Sequence, residues 1–111
     1  MKKKILIADC DPVSLSYYER VFMNHHLFTT TDGKDALEMF FEHQPDFVII
    51  NSHLNNIDGF KVVEEIRALN EIVKIFMIAA YHDDRKRALN VGCDDFHTKP
   101  ISLSDLQKII E

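Results

Sequence analysis

Apolar residues in this chain fall in short runs, and the polar stretches between them carry apolar positions at helical spacing. Ile5-Leu6-Ile7-Ala8, Phe47-Val48-Ile49-Ile50 and Ile75-Phe76-Met77-Ile78-Ala79 are near-continuous. Runs of this kind predict strands buried on both faces, as in a parallel sheet covered by helices. Phe28 to Thr31 and Phe96 to Thr98 are weaker and predict a second and a fifth strand. Between the strands the period changes to that of a helix. Val13, Tyr17 and Val21 recur at helical spacing after Asp11-Pro12, where Asp suits a cap and Pro the first turn. Ala36, Leu37, Phe40 and Phe41 make an apolar stripe after the turn Asp32-Gly33. Val62, Val63, Ile66 and Leu69 make another after Asp58-Gly59. A helix around Arg85 to Val91 is stopped by Gly92. Ser102-Leu103-Ser104-Asp105 opens the last helix, with Leu103, Leu106, Ile109 and Ile110 on one side.

Strand–helix units with right-handed crossovers predict a three-layer α/β sandwich. In that architecture sites gather at the carboxyl ends of the strands, near the topological switch point. The rule selects Asp9-Cys10-Asp11 after the first strand, Asn51 after the third, Ala79-Ala80 after the fourth and Lys99-Pro100 after the fifth.

Composition narrows the classes. The 111 residues, 46% hydrophobic and 28% charged, fit one domain spanning residues 1–111. A net charge of -5 disfavours nonspecific nucleic-acid binding, which needs clustered Lys and Arg. The basic runs Lys2-Lys3-Lys4 and Arg85-Lys86-Arg87 read as a solvated end and a solvated helix face. Cys10 and Cys93 form no CxxC pair, so structural zinc is not expected. One cysteine pair makes no disulfide scaffold, and a reducing, cytoplasmic setting is the expectation. The apolar run at Ile5 to Ala8 is too short for a signal-peptide core or a membrane span.

The motifs ILIADCDP, PDFVIINSHLNNIDGF, KIFMIAAY and VGCDDFHTKP occur in order. With them the chain, from Lys3 to Ile110, resembles the receiver domain of two-component response regulators. The resemblance implies a flavodoxin-like (βα)5 fold with sheet order 2-1-3-4-5. It also implies a phosphorelay role, with an aspartate ending strand three that takes a phosphoryl group from a partner kinase. Two adjacent acids after strand one would hold Mg²⁺. A Ser or Thr ending strand four and a Lys ending strand five would contact the phosphoryl oxygens. Lys99 and Pro100 match that pattern, with a cis Lys99-Pro100 bond expected. Phe96 stands at the aromatic switch position.

Three positions depart from the pattern. Asn51 stands at the phosphoacceptor position, Cys10 at the second position of the acid pair and Ala79 at the hydroxyl position. An amide has no anionic oxygen to accept a phosphoryl group. A thiol is a poor Mg²⁺ ligand, and alanine donates no hydrogen bond. An intact pocket carries a charge near about -2 before metal binds, whereas Asp9 and Lys99 nearly cancel if Asp11 faces away. The expectation is a vestigial phosphorylation pocket of Asn51, Asp9, Cys10, Ala79 and Lys99. No catalytic set is intact, no cofactor is needed, and Mg²⁺ binding is weak or absent. Lys99 would bond Asp9 or the Asn51 carbonyl oxygen. The domain would act through a protein partner or an output domain of a longer regulator, without itself binding nucleic acid or membrane. The Arg85–Lys108 face, with Arg85, Lys86, Arg87, Asp94 and Asp95 as charges, is a candidate for homodimerisation.

The sequence also permits other readings. Phosphate could still be accepted through Asp58, Asp11 or a deamidated Asn51. Cys10, His53 and His82, on loops at one edge, could bind a soft metal or sense redox state. A nucleotide or flavin binder is disfavoured, because the first strand–helix turn is acidic and lacks a glycine-rich cradle. Cys93 is expected in the core, and His97 at an edge or the surface. Tyr17 is expected in the core and Tyr18 on the helix surface.

Overall fold

The computed structural model describes residues 1–111. Its strands are β1 (Lys4–Ala8), β2 (His26–Thr30), β3 (Phe47–Ile50), β4 (Lys74–Ala79) and β5 (Asp95–Thr98). They pair in parallel in the order β2-β1-β3-β4-β5, as expected. The helices are α1 (Pro12–Val21), α2 (Gly33–His43), α3 (Gly59–Leu69), α4 (Arg85–Val91) and α5 (Leu103–Lys108).

Alternation along each strand splits the core in two. Ile5 and Ile7 of β1, Ile49 of β3 and Ile78 of β4 pack with Leu15, Tyr18 and Phe22 around α1 and with Leu106 and Ile109 around α5. Leu6, Val48, Ile50, Ile75 and Met77 point the other way. They pack with Phe40 of α2, Val62, Val63 and Ile66 of α3, and Ala88 of α4. Cys93 joins this second core, as expected. Burial there pushes its thiol pKa up to about 12.

Side-chain caps start four helices. Asp11 accepts from Val13 N, Asp32 from Asp35 N, Asp58 from Lys61 N and Ser102 from Asp105 N.

Several apolar stripes lie differently from the sequence expectation. In α1 the buried face is Leu15 and Tyr18, continued by Phe22, while Val13 is 76% and Tyr17 37% exposed. The two tyrosines are therefore exchanged: Tyr18 is core and Tyr17 is surface. Both faces of α1 carry apolar residues at helical spacing, so periodicity alone could not choose between them. Leu69, Phe41 and Leu103 also stand outside the core, at the ends or flanks of their helices. Strand β2 begins at His26 and ends at Thr30, earlier at both ends than expected. Its register, Lys4 opposite His26, is set by backbone pairing with β1, and the exposed His26 gives no apolar signal.

Candidate functional site

The carboxyl ends of β1, β3, β4 and β5 bring Asp9, Asn51, Ala79 and Lys99 to one edge of the sheet. Asp9 is 1% and Asn51 6% exposed. The Asn51 backbone N–H donates to Ala8 O at 2.9 Å, which continues the sheet one residue past β3. Gly59 then closes the β3–α3 loop. Its N–H donates to Ser52 O at 2.8 Å, and a Cβ added there would meet Asn51 O at 2.0 Å. Only glycine allows this approach, so the loop fixes the backbone that carries Asn51.

Asp9 is the hub of the site. Its Oδ1 accepts from Asn51 Nδ2 at 3.1 Å and from Asp11 N–H at 2.9 Å. Its Oδ2 lies 2.8 Å from Lys99 Nζ. This contact is ionic rather than a directed hydrogen bond, since Oδ2 has no donor aimed at it. Lys99 Nζ instead donates to Ser14 Oγ at 2.9 Å, and Ser14 Oγ donates to Asp11 Oδ2 at 2.9 Å. The hydrogen bonds from Ser14 and from Val13 N hold the Asp11 carboxyl below the usual carboxylate range. Asp11 therefore caps α1 and faces Ser14, as its place before Pro12 suggested. Of the two partners expected for Lys99, the structure selects Asp9.

The amide orientation follows from charge. Asn51 turns its NH₂ toward the Asp9 carboxylate, where its oxygen would be repelled. Cys10 Sγ lies 3.9 Å from the same nitrogen, and Cys10 is exposed. Ala79 is fully buried against the α3–α4 core. Tyr18 lies beneath the site, and burial, then the Asp9 charge, push its phenol pKa above the ordinary value.

The remaining candidates sit apart. Phe96 is 3% exposed, and its carbonyl accepts from Arg85 Nη1 at 3.0 Å. The Lys99-Pro100 bond is cis. Asp58 is engaged as the α3 cap. Cys10, His53 and His82 are exposed, and no three His, Cys, Asp or Glu side chains gather in a group that could hold a metal ion. On the expected contact face, Arg85 pairs with Asp95 at 3.5 Å, and the Arg87 guanidinium lies 4.1 Å from the Phe60 ring centroid. Asp94 does not belong to that face. It pairs with Arg67 of α3 at 2.8 Å and accepts from Ile75 N.

Two residues of consequence escaped the sequence reading. Ser14 links Lys99 to Asp11, and the Asp-x-x-Ser spacing across a helix start was its available signal. Arg67 donates to Gly92 O, Val73 O and Asn70 O, joining α3 to the starts of β4 and β5. An arginine in the last turn of a helix gave no sign of so many acceptors.

The chain matches the family model described as response regulator receiver domain over residues 5–111. It is 36% identical over 110 residues to the "Probable transcriptional regulator ycf27" of Guillardia theta, covering 96% of this chain and 43% of that protein. It is 31% identical over 106 residues to the alkaline phosphatase synthesis transcriptional regulatory protein PhoP of Bacillus subtilis, covering 92% and 44%. It thus spans less than half the length of these relatives. Among solved structures, the chemotaxis response regulator CheY4 of Vibrio cholerae superposes with a TM-score of 0.91 at 19% identity, covering 99% of this chain and 97% of that one. No helix is long and apolar enough to cross a membrane.

Proposed function

The chain belongs to the response regulator receiver domain family, and from that membership we propose that it signals by phosphorylation-independent binding to a protein partner or output domain. The observation that carries this reading is the closed arrangement Asn51–Asp9–Lys99. Where the family pattern has a phosphoacceptor carboxylate, this chain has an amide that donates to Asp9 at 3.1 Å. The lysine that would contact a phosphoryl group lies against the same carboxylate at 2.8 Å. Ala79 offers no hydroxyl. One carboxylate already facing an ammonium, a thiol and an amide NH₂ make a poor donor set for Mg²⁺, which favours several hard oxygens. The pocket is balanced by its own residues and needs no metal.

The competing reading, phosphate accepted elsewhere, finds little support in the geometry. The Asp58 and Asp11 carboxylates each hold a helix start. Acetyl phosphate with Mg²⁺, followed by intact mass measurement, tests the proposal. The expected result is no mass gain for the protein and a gain of one phosphate for the triple variant C10D/N51D/A79T. A phosphate gained by the unaltered protein overturns the proposal.

A further inference from the structure

The apolar residues that continue the helix stripes past the core meet on one surface. Leu69 is 76% exposed, Ile72 87% and Phe41 48%. Phe41 and Leu69 line one depression together. Leu69 and Ile72 line a larger one of about 820 Å³, which also holds Pro45 and Asn70. A third depression, with Phe41, Pro45 and Leu69 in its wall, joins the two. The result is a furrow edged by Phe41, Leu69 and Ile72 across the last turns of α2 and α3 and the α3–β4 turn. It lies at the amino ends of β3 and β4, opposite the Asn51–Asp9–Lys99 site. Single exposed apolar residues are ordinary, but a contiguous set in a furrow marks a contact surface.

The charges along the furrow select its occupant. Asp46, Glu65 and Glu71 line it, against Lys74 alone. A second copy packed isologously would set these carboxylates against themselves. An anionic lipid surface or nucleic acid would be repelled in the same way. We propose that this furrow docks a basic amphipathic helix of a partner protein, with its apolar side on Leu69, Ile72 and Phe41 and its Lys or Arg residues toward Asp46, Glu65 and Glu71. Docking here leaves the strand-end pocket untouched, so it stands whether or not the phosphorylation-independent reading does.

The probe is a fluorescent amphipathic peptide of about 18 residues, leucine on one face and lysine on the other. It is titrated by anisotropy against the domain, with amide shifts recorded in parallel. Expected are saturable binding, shifts centred on Phe41, Leu69 and Ile72, and a loss of at least about tenfold in affinity for L69E/I72E and for E65K/E71K. V13E, on the far face, should bind as the unaltered domain does. Thermal melts identify any variant that fails to fold, and E65K/E71K, changing only exposed residues, provides a second route to the answer. The proposal is overturned by no binding, by shifts centred elsewhere, or by equal affinity in the furrow variants. Sedimentation showing a dimer that L69E/I72E abolishes would assign the furrow to a second copy and overturn it too.

Discussion

At the scale of single residues, the decisive feature is how the Asp9 charge is met. Lys99→Met would leave Asp9, 1% exposed, with only the Asn51 and Asp11 N–H donors. Breaking a buried pair from one side costs roughly 3 kcal/mol, and chemical denaturation should show a loss of that order. Asn51→Asp replaces a hydrogen bond by two carboxylates in contact. The folded pair then resists full ionisation, so one of its pKa values rises above its unfolded value. A raised carboxyl pKa gives stability below the unfolded pKa that is lost as pH rises. Asn51→Asp should therefore lie about 1–3 kcal/mol below the unaltered protein at neutral pH, with the gap closing toward pH 4 or so. His25 supplies a separate pH effect. Its Nδ1 accepts from Lys3 N–H at 3.0 Å. Desolvation first, then the chain-terminal ammonium and Lys3, with smaller contributions from His26 and Lys2, lower its pKa from 6.5. A lowered histidine pKa means the native state favours the neutral ring. Its stability is complete above pH 6.5 and declines as pH falls through that value toward the folded pKa. His25→Asn, which retains an acceptor and removes the titration, should flatten the dependence of Tm on pH between about 7 and 5. The strand-end residues themselves were legible from the sequence, because the strand-end rule selects positions. Their mutual orientation was not, since it depends on which atom of an amide faces which charge.

At the scale of elements, the strands were legible because three of them are apolar on both faces, and a doubly buried strand leaves an unbroken run. The helices were legible in position, through Asp11, Asp32, Asp58 and Ser102 at their starts, but not always in rotation. In α1, Val13 and Tyr17 form as regular a stripe as Leu15, Tyr18 and Phe22. What decides is where the chain enters from β1. Asp11 caps the helix while its neighbour Asp9 stays under Lys99, and that entry turns Leu15 and Tyr18 onto the sheet. The rotation has a direct test. Tyr18→Ala should cost about 3–4 kcal/mol, while Tyr17→Ala should cost under about 1 kcal/mol, both read from denaturant midpoints. Equal costs would mean that α1 presents a different face. Gly92 ends α4 with φ of 122°, beneath the Arg67 side chain that spans α3, β4 and β5. A terminating glycine was visible in the sequence; the arginine laid across it was not, because that contact joins elements distant in the chain.

At the scale of the whole molecule, the question is whether the fold is complete without a divalent cation. In a pocket crowded with acids the native state gains stability from Mg²⁺, because bound metal offsets like-charge repulsion that unfolding would relieve. Here the sheet delivers one lysine and one buried aspartate to the same point, 2.8 Å apart. The two cores are formed mostly by Ile, Val, Leu, Phe and Met side chains, with Ala79 and Tyr18 bordering the pocket. A site with Kd of about 1 mM would add roughly 1.4 kcal/mol at about 10 mM Mg²⁺. For a domain of this length that is a rise in Tm of roughly 5 °C. The unaltered protein should show less than about 1 °C in the same titration, since its donor set offers no cluster of hard oxygens. C10D/N51D should behave oppositely. It restores acids at the two departing positions where the family pattern carries carboxylates, beside the Asp9 carboxylate that already faces Lys99. Its Tm without metal should fall below that of the unaltered protein, and added Mg²⁺ should recover much of the difference. A clear Mg²⁺-dependent rise in the unaltered protein would show that Asp9 can leave Lys99 for the cation. The internal balance of the pocket would then be one of two accessible states rather than its resting arrangement.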